Sequence, residues 1–398
     1  MHKLPLRITY ITIFFISILF TQKKIELIGN DKTKTHIITQ EFKNVNLDSL
    51  SNNDLILYQN KLLELELFNE VSILPTDSSY IIIVSEKPNF EPMPLIERNE
   101  TLGWSYGVGF KFNNINGLNK KIKFNTLGGA IESYQISYFS PNLLNKQYPF
   151  FIDLYKTTQG SVEDNYMLNK YNLSTSLFTK KINNLNNCEF TLALFDYTLH
   201  FNDNNQSENF KGIMPSIAFN KNVGNNSLNL NVKYHYYNKS DYDNYLNINL
   251  NNIYKINLNK NNQIYLNFKN SININFSKNI PEYNQIYIGG EDGIRAYEEN
   301  PLLNDQEIQN KLKTQNLLLS SIEFALPLWE HYLSKTHLLL FFDYALYANQ
   351  YNQFDLKNHI YGYGFGLKNK FFNNQILNVY IGINPNGNKV INFVVETN

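Results

Sequence analysis

The sequence predicts a mainly β fold: a 16-stranded antiparallel transmembrane β-barrel preceded by one small α+β domain with a β-α-α-β-β pattern. Three observations predict it. From about residue 88 onward, short segments alternate apolar and polar residues. Aromatic residues make up 15% of the chain, with 28 Tyr and 28 Phe, whereas charged residues make up only 18%. After residue 22 no stretch supplies the roughly 18 consecutive apolar residues that a membrane-spanning helix needs. Lipid-facing apolar side chains, interfacial aromatics and an interior of uncharged Asn account for this composition together.

Residues 1–22 read as a signal peptide. His2, Lys3 and Arg7 give a basic start, and Ile8 to Phe20 is an apolar run too short to span a bilayer. Residues 23–87 read as the small domain. Lys24 to Ile28 is its first strand, and Gly29-Asn30-Asp31 is the turn, with Asp31 placed to cap a helix over Lys32 to Phe42. A second helix is expected from about Asp54 to Leu67, on the spacing of Leu55, Leu62 and Leu63. Two strands follow, Glu70 to Leu74 and Tyr80 to Val84, with Pro75-Thr76-Asp77 turning between them.

Residues 88–398 read as the barrel. Period-two segments fall near 103–112, 120–128, 131–139, 149–158, 171–180, 188–198, 210–220, 226–237, 243–256 and 262–276. After a long loop they resume near 314–327, 335–347, 360–370, 376–384 and 388–396. Leu228, Leu230 and Val232, for example, alternate with Asn229, Asn231 and Lys233. Asn disfavours strands, so its heavy use on one face suits a wet lumen better than a dry core. These are fifteen segments, and a single-chain bacterial barrel has an even number. The missing first strand is expected at Asn89 to Glu97. It contains Pro92 and Pro94, which cannot donate to a ladder. The seam between this strand and the last one, from Leu95 across to Asn392, is therefore expected to be the weakest line of the barrel.

Several chemistries are excluded. The formal net charge is zero, which argues against nucleic acid as a partner. Cys188 is the only cysteine, so no intrachain disulfide forms. The seven His show no metal-ligand spacing. Gly103-Trp104-Ser105-Tyr106-Gly107 fits the pattern of a nucleophile elbow, but it opens an alternating strand instead of joining a strand to a helix. No enzyme activity and no cofactor are expected. Gly362, Gly364 and Gly366 alternate with aromatics in a strand, where they permit close packing.

Two regions carry a family resemblance. Ile28-Gly29-Asn30-Asp31-Lys32-Thr33-Lys34, Leu67-Phe68-Asn69-Glu70-Val71-Ser72-Ile73 and Ile82-Ile83-Val84-Ser85-Glu86 resemble three landmarks of a POTRA (polypeptide-transport-associated) domain. In the long loop, Tyr287-Ile288-Gly289-Gly290-Glu291-Asp292-Gly293-Ile294-Arg295-Ala296-Tyr297 resembles the sixth extracellular loop of the BamA/TamA-type outer-membrane assembly family (bacterial surface antigen barrels). Ser321-Ile322-Glu323-Phe324 and Phe341-Phe342-Asp343-Tyr344 resemble the two acidic strands that follow it there. Ala296 departs from the family's glycine.

The resemblance implies that Arg295 folds back to pair with Glu323 and Asp343, with Gly289, Gly290 and Tyr297 shaping the latch. It implies a periplasmic domain that meets clients through Gly29, Asn30, Phe68 and Val71. It also implies an outer-membrane protein that inserts β-barrel proteins or translocates a client protein. The expected partners are unfolded outer-membrane or secreted clients, periplasmic proteins through the small domain, and the lipid bilayer. The alternative is a passive outer-membrane pore for small solutes, which an Asn-lined lumen would suit.

Overall fold

The computed structural model describes residues 24–43, 45–47, 50–99, 103–143, 148–161, 166–179, 187–201, 206–238, 242–259, 263–290, 292–297, 313–331, 334–371 and 375–397. The signal peptide expected at residues 1–22 lies outside the described residues. Among these residues no helix is long and apolar enough to cross a membrane.

The N-terminal region has a three-stranded sheet of β1 (Lys24–Ile28), β2 (Phe68–Pro75) and β3 (Ser79–Glu86), in the order β1-β3-β2. β3 is parallel to β1 and antiparallel to β2. The helices are α1 (Thr35–Thr39), extended by a 3-10 turn over Gln40–Phe42, and α2 (Asn52–Leu63). α2 starts two residues before the expected Asp54 because Ser51 and Asp54 form a capping box. Asp54 N–H donates to Ser51 Oγ at 3.3 Å, and Ser51 N–H donates to Asp54 Oδ2 at 2.9 Å. One apolar cluster, with Ile37, Ile38, Phe42, Leu62, Phe68, Val71 and Ile82 buried, ties helices to sheet.

Asp31 does not cap α1, whose N-cap is Lys34 without a side-chain bond. The turn is closed from the far end of the domain instead: the Glu86 carboxylate accepts from the N–H groups of Lys32 at 3.0 Å and Thr33 at 2.6 Å.

Sixteen strands form the barrel sheet: β4 (Phe90–Asn99), β5 (Gly103–Ile115), β6 (Lys120–Gly129), β7 (Ser133–Ser140), β8 (Phe150–Ser161), β9 (Tyr166–Thr179), β10 (Asn187–Phe201), β11 (Ser207–Val223), β12 (Asn226–Asn238), β13 (Tyr245–Asn257), β14 (Tyr265–Phe276), β17 (Asn316–His331), β18 (Ser334–Ala348), β19 (His359–Phe371), β20 (Gln375–Ile383) and β21 (Lys389–Thr397). They pair in sequence order, with β14 beside β17. The short pair β15 (Ile286–Tyr287) and β16 (Lys313–Thr314) sits in the loop between those two strands. Pro92 and Pro94 fall inside β4, and β4 and β21 are the two ends of the strand order.

Register separates two faces. Asn231 lies opposite Asn249, Asn249 opposite Asn273, and Asn273 opposite Leu317, all on one side. Asn247 Nδ2 donates along this face to Asn273 Oδ1 at 2.7 Å and to Asn275 Oδ1 at 2.8 Å. The other side exposes large apolar residues such as Leu192, Leu194, Leu340 and Phe342. This is the inside-out pattern of a barrel in lipid, with asparagine amides on the inner face. Both tryptophans, Trp104 and Trp329, are exposed, at 52% and 62%.

The chain divides into two compact units. The first joins residues 1–93 to residues 109–123 and 138–141. Within it, the turn after β5 has positive φ at Asn114, Asn116, Gly117 and Asn119. Gly117 is required there: a Cβ would stand 2.2 Å from the Lys32 carbonyl oxygen. Its own carbonyl accepts from Lys34 N–H at 3.0 Å, and Asn114 Nδ2 donates to Thr33 Oγ1 at 2.7 Å. Lys121 Nζ adds a 2.7 Å ion pair to Glu66. Together with the hydrogen bond, its charge holds the Glu66 carboxyl below the ordinary carboxylate range.

Candidate functional site

The site is built by the loop between β14 and β17, which folds back along the inner face. Its Gly-Gly turn closes on itself. Ile294 N–H donates to the Ile288 carbonyl at 2.7 Å, and Gly290 N–H donates to the Tyr297 carbonyl at 2.8 Å. Gly290 has φ +90°, which only glycine adopts easily. Ile288, Ile294 and Ala296 are wholly buried, and they pack against Leu317, Leu319 and Ala345 of β17 and β18. These apolar contacts hold the segment so that Arg295 projects between strands.

Arg295 is 6% exposed. Its Nη2 donates to Asp343 Oδ1 at 2.8 Å and its Nε to Asp343 Oδ2 at 3.0 Å, a bidentate fork. The Arg295 backbone N–H also reaches Asp343 Oδ2, at 3.1 Å. Nη1 donates to Glu323 Oε2 at 2.8 Å, and Nη2 also donates to Ser321 Oγ at 3.0 Å. Ser321 in turn donates to Asp343 Oδ1 at 2.6 Å. The guanidinium lies over the Phe341 ring, 3.7 Å from its centroid, with Tyr380 at 5.1 Å. Planar charge, planar carboxylate and stacked ring are the combination that suits arginine and not lysine.

Two glycines make room for this. A Cβ on Gly382 would stand 2.2 Å from the Arg295 carbonyl oxygen, and one on Gly362 2.3 Å from the Ala296 Cβ. Ala296 is accommodated by Gly362 opposite it, so its methyl fills space where the family has glycine.

A second anchor holds the loop's first arm. Tyr237 and Tyr245 project inward from β12 and β13, and Asn284 Nδ2 donates to both hydroxyls, at 2.8 and 2.9 Å. Tyr283 meets Tyr197 and Phe210 edge-on or tilted at 5.6 and 5.5 Å. Ile280 is buried in the same cluster.

The sequence-expected residues Arg295, Glu323, Asp343, Gly289, Gly290 and Tyr297 therefore converge. Gly289 bridges to Ile294, and Tyr297 closes the turn through its backbone. Glu291 lies outside the described residues. Sequence reasoning missed Ser321 and Phe341, each two residues before an acid on the same strand face. It also missed Gly382, Tyr380 and the Asn284 anchor.

The seam residues Pro92, Pro94 and Leu95 sit on β4 and Asn392 on β21, where Asn392 lies opposite Tyr380. The client-contact assignment for Phe68 and Val71 is corrected: they are 1% and 3% exposed and form the domain core. The register shift between Phe68 and Glu70 turns both side chains to the core face of β2, away from any partner. Gly29 has φ +87° and packs on Val84, and Asn30 Nδ2 donates to the Thr33 carbonyl at 3.1 Å, so both shape a turn.

Residues 226–371, which supply β12 to β19 and the folded-back loop, match the Omp85 superfamily domain. That match covers the second half of the barrel sheet and the loop that carries Arg295. No curated protein matches the sequence. Among solved structures, the chain is similar to BamA from Haemophilus ducreyi lacking POTRA domains 1–3, at 16% identity and a TM-score of 0.70, over 94% of this chain and 84% of that one. It is similar to CdiB from Escherichia coli, at 11% identity and a TM-score of 0.61, over 94% of this chain and 76% of that one. CdiB from Acinetobacter baumannii matches at 15% identity and a TM-score of 0.60, over 94% of this chain and 74% of that one. A 16-stranded antiparallel barrel sheet with one small α+β domain before it is thus the fold these structures share with the chain.

Proposed function

We propose that this chain inserts β-barrel clients into the outer membrane or translocates a client polypeptide across it, with its N-terminal domain in the periplasm. One observation carries the reading: a loop folded back onto the inner face and pinned by Arg295 to Asp343 and Glu323. Such a pin fixes the strands β17 and β18 while the proline-bearing β4 remains a poor ladder partner. A barrel with one firm side and one labile seam can admit a foreign strand without losing its own fold. The energy comes from the client's folding, and neither a cofactor nor a catalytic residue takes part. Unfolded clients meet the chain from the periplasm, and periplasmic partners engage the N-terminal domain.

The test is depletion followed by outer-membrane proteomics. Loss of many barrel proteins identifies a general insertase, loss of one a dedicated exporter, and no change refutes both. In parallel, a Leu95→Cys, Asn392→Cys disulfide is expected to block client insertion while the barrel stays folded. Unchanged insertion in that variant overturns the labile seam.

The Asn-lined inner face favours a second reading, a passive pore for small solutes. Selective conductance in planar bilayers, with no crosslinks to client chains, would establish it instead.

A further inference from the structure

At the end of the sheet where β4 begins and β21 finishes, the inner face carries an arrangement that costs stability. Lys335 on β18 lies directly opposite Lys370 on β19, and two residues along, His337 lies opposite Lys368. Like charges facing each other across a ladder destabilise the sheet. The Lys335–Lys370 row does so, and Lys368 follows two residues along on the same face of β19. Lys255 on β13 reaches the same cluster through a shared ring. It lies over the Tyr265 ring at 3.8 Å, and the His337 ring packs on that same tyrosine at 5.6 Å.

The acid that meets this cluster is Glu330, which pairs with Lys335 and accepts from Gln263 Nε2 at 2.7 Å. Among the described residues, Lys368 and Lys370 have no ion-pair partner. Their register puts them on the face of Gly364 and Gly366, whereas Phe365 and Leu367 between them are exposed on the opposite, lipid-facing side. A membrane headgroup approaches from that opposite side, so the occupant comes through the lumen.

We propose that Lys255, Lys368 and Lys370 form a docking site for an acidic segment of an extended client polypeptide at this mouth of the barrel. The inference rests on the proposed client function and deepens it. An extended acidic chain places carboxylates on one side every second residue, the same repeat at which Lys368 and Lys370 recur on β19. Complementary charge at a pore mouth speeds capture and is screened by salt. The repulsion between Lys335 and Lys370 is relieved when the carboxylates arrive.

The experiment uses the full chain in detergent micelles and fluorescence anisotropy. The probes are an extended peptide of alternating Glu and Ser, its Gln counterpart, and dihexanoyl phosphatidylglycerol as a competitor. The wild type is expected to prefer the Glu peptide, with binding that falls steeply with ionic strength. Lys368→Gln, Lys370→Gln is expected to weaken it about tenfold, leave the Gln peptide unaffected, and raise the thermal midpoint of the barrel. A purely structural role would not couple weaker binding to higher stability.

Equal binding of the two peptides, unchanged Glu-peptide affinity in the variant, or full displacement by the lipid overturns the proposal. Client assembly by the wild type, measured alongside, separates the two failures. Assembly without Glu preference sinks only this site, and Glu preference without assembly sinks only the proposed function.

Discussion

The Arg295 triad shows how unequal two salt bridges to one arginine can be. Asp343 is fully buried and takes three donors from the arginine, Nε, Nη2 and the backbone N–H, and a fourth from Ser321 Oγ. The Glu323 side chain is 13% exposed and takes one bond from the arginine. Removing one partner of a buried pair leaves a stranded charge and costs about 3–5 kcal/mol. Arg295→Ala and Asp343→Asn are therefore expected to lower the temperature at which the barrel loses its compact, heat-resistant form on gels, by clearly more than Glu323→Gln. Equal shifts for the two acids would contradict the geometry.

Arg295, Glu323 and Asp343 were legible in the sequence because a Gly-Gly turn and two acidic strands stood in a fixed order. Ser321 and Phe341 could have been read from period two, as inner-face neighbours of the acids. Gly382 and Tyr380 could not: they meet Arg295 only because β19 pairs with β18 and β20 with β19, and nothing local marks them.

At the scale of elements, strand placement followed the sequence closely, since each inner Asn is matched by an outward apolar neighbour and a slip of one residue would reverse both. The proline-bearing first strand, expected at Asn89 to Glu97 by parity of strand number, runs over Phe90–Asn99. Helix ends were less legible, because α2 is set by a Ser51–Asp54 capping box two residues upstream of the leucine spacing.

The loop was legible only in its second half. Its first arm is held by Asn284 between two tyrosines that are 39 and 47 residues away in sequence. Such a pairing has no local signature. Asn284→Ala removes both hydrogen bonds and leaves two buried hydroxyls, a loss of roughly 1–3 kcal/mol. The variant is expected to free the first arm while Arg295 still holds the second. Protease cleavage between residues 277 and 287, with the compact heat-resistant form retained, would show it. Wild-type protease resistance would remove the anchor.

At the scale of the whole molecule, the N-terminal domain and the β5–β6 turn form one compact unit. Hydrogen bonds of Thr33 and Lys34 hold it together, and so does the Glu66–Lys121 pair. Lys121 lowers the Glu66 carboxyl below its ordinary value of 4.5. A lowered acid contributes its stability above the unfolded value and loses it as pH falls through the folded one. The contact is therefore expected to hold at neutral pH and to weaken progressively as pH falls below 4.5. Because the Glu66 side chain is 57% exposed, the effect is small and salt-sensitive. Hydrogen exchange at residues 114–119, followed against pH in wild type and Glu66→Gln, measures it. A pH dependence identical in the two would show that the hydrogen bonds alone hold the unit.

The two tryptophans sit in β5 and β17, well apart in the strand order and both more than half exposed. Emission from the native protein therefore comes entirely from indoles on the surface. Bromine atoms carried on the acyl chains of the host vesicle should dim that light, without any label being added. The position of the bromine that dims it most gives the depth at which the barrel rides in its bilayer.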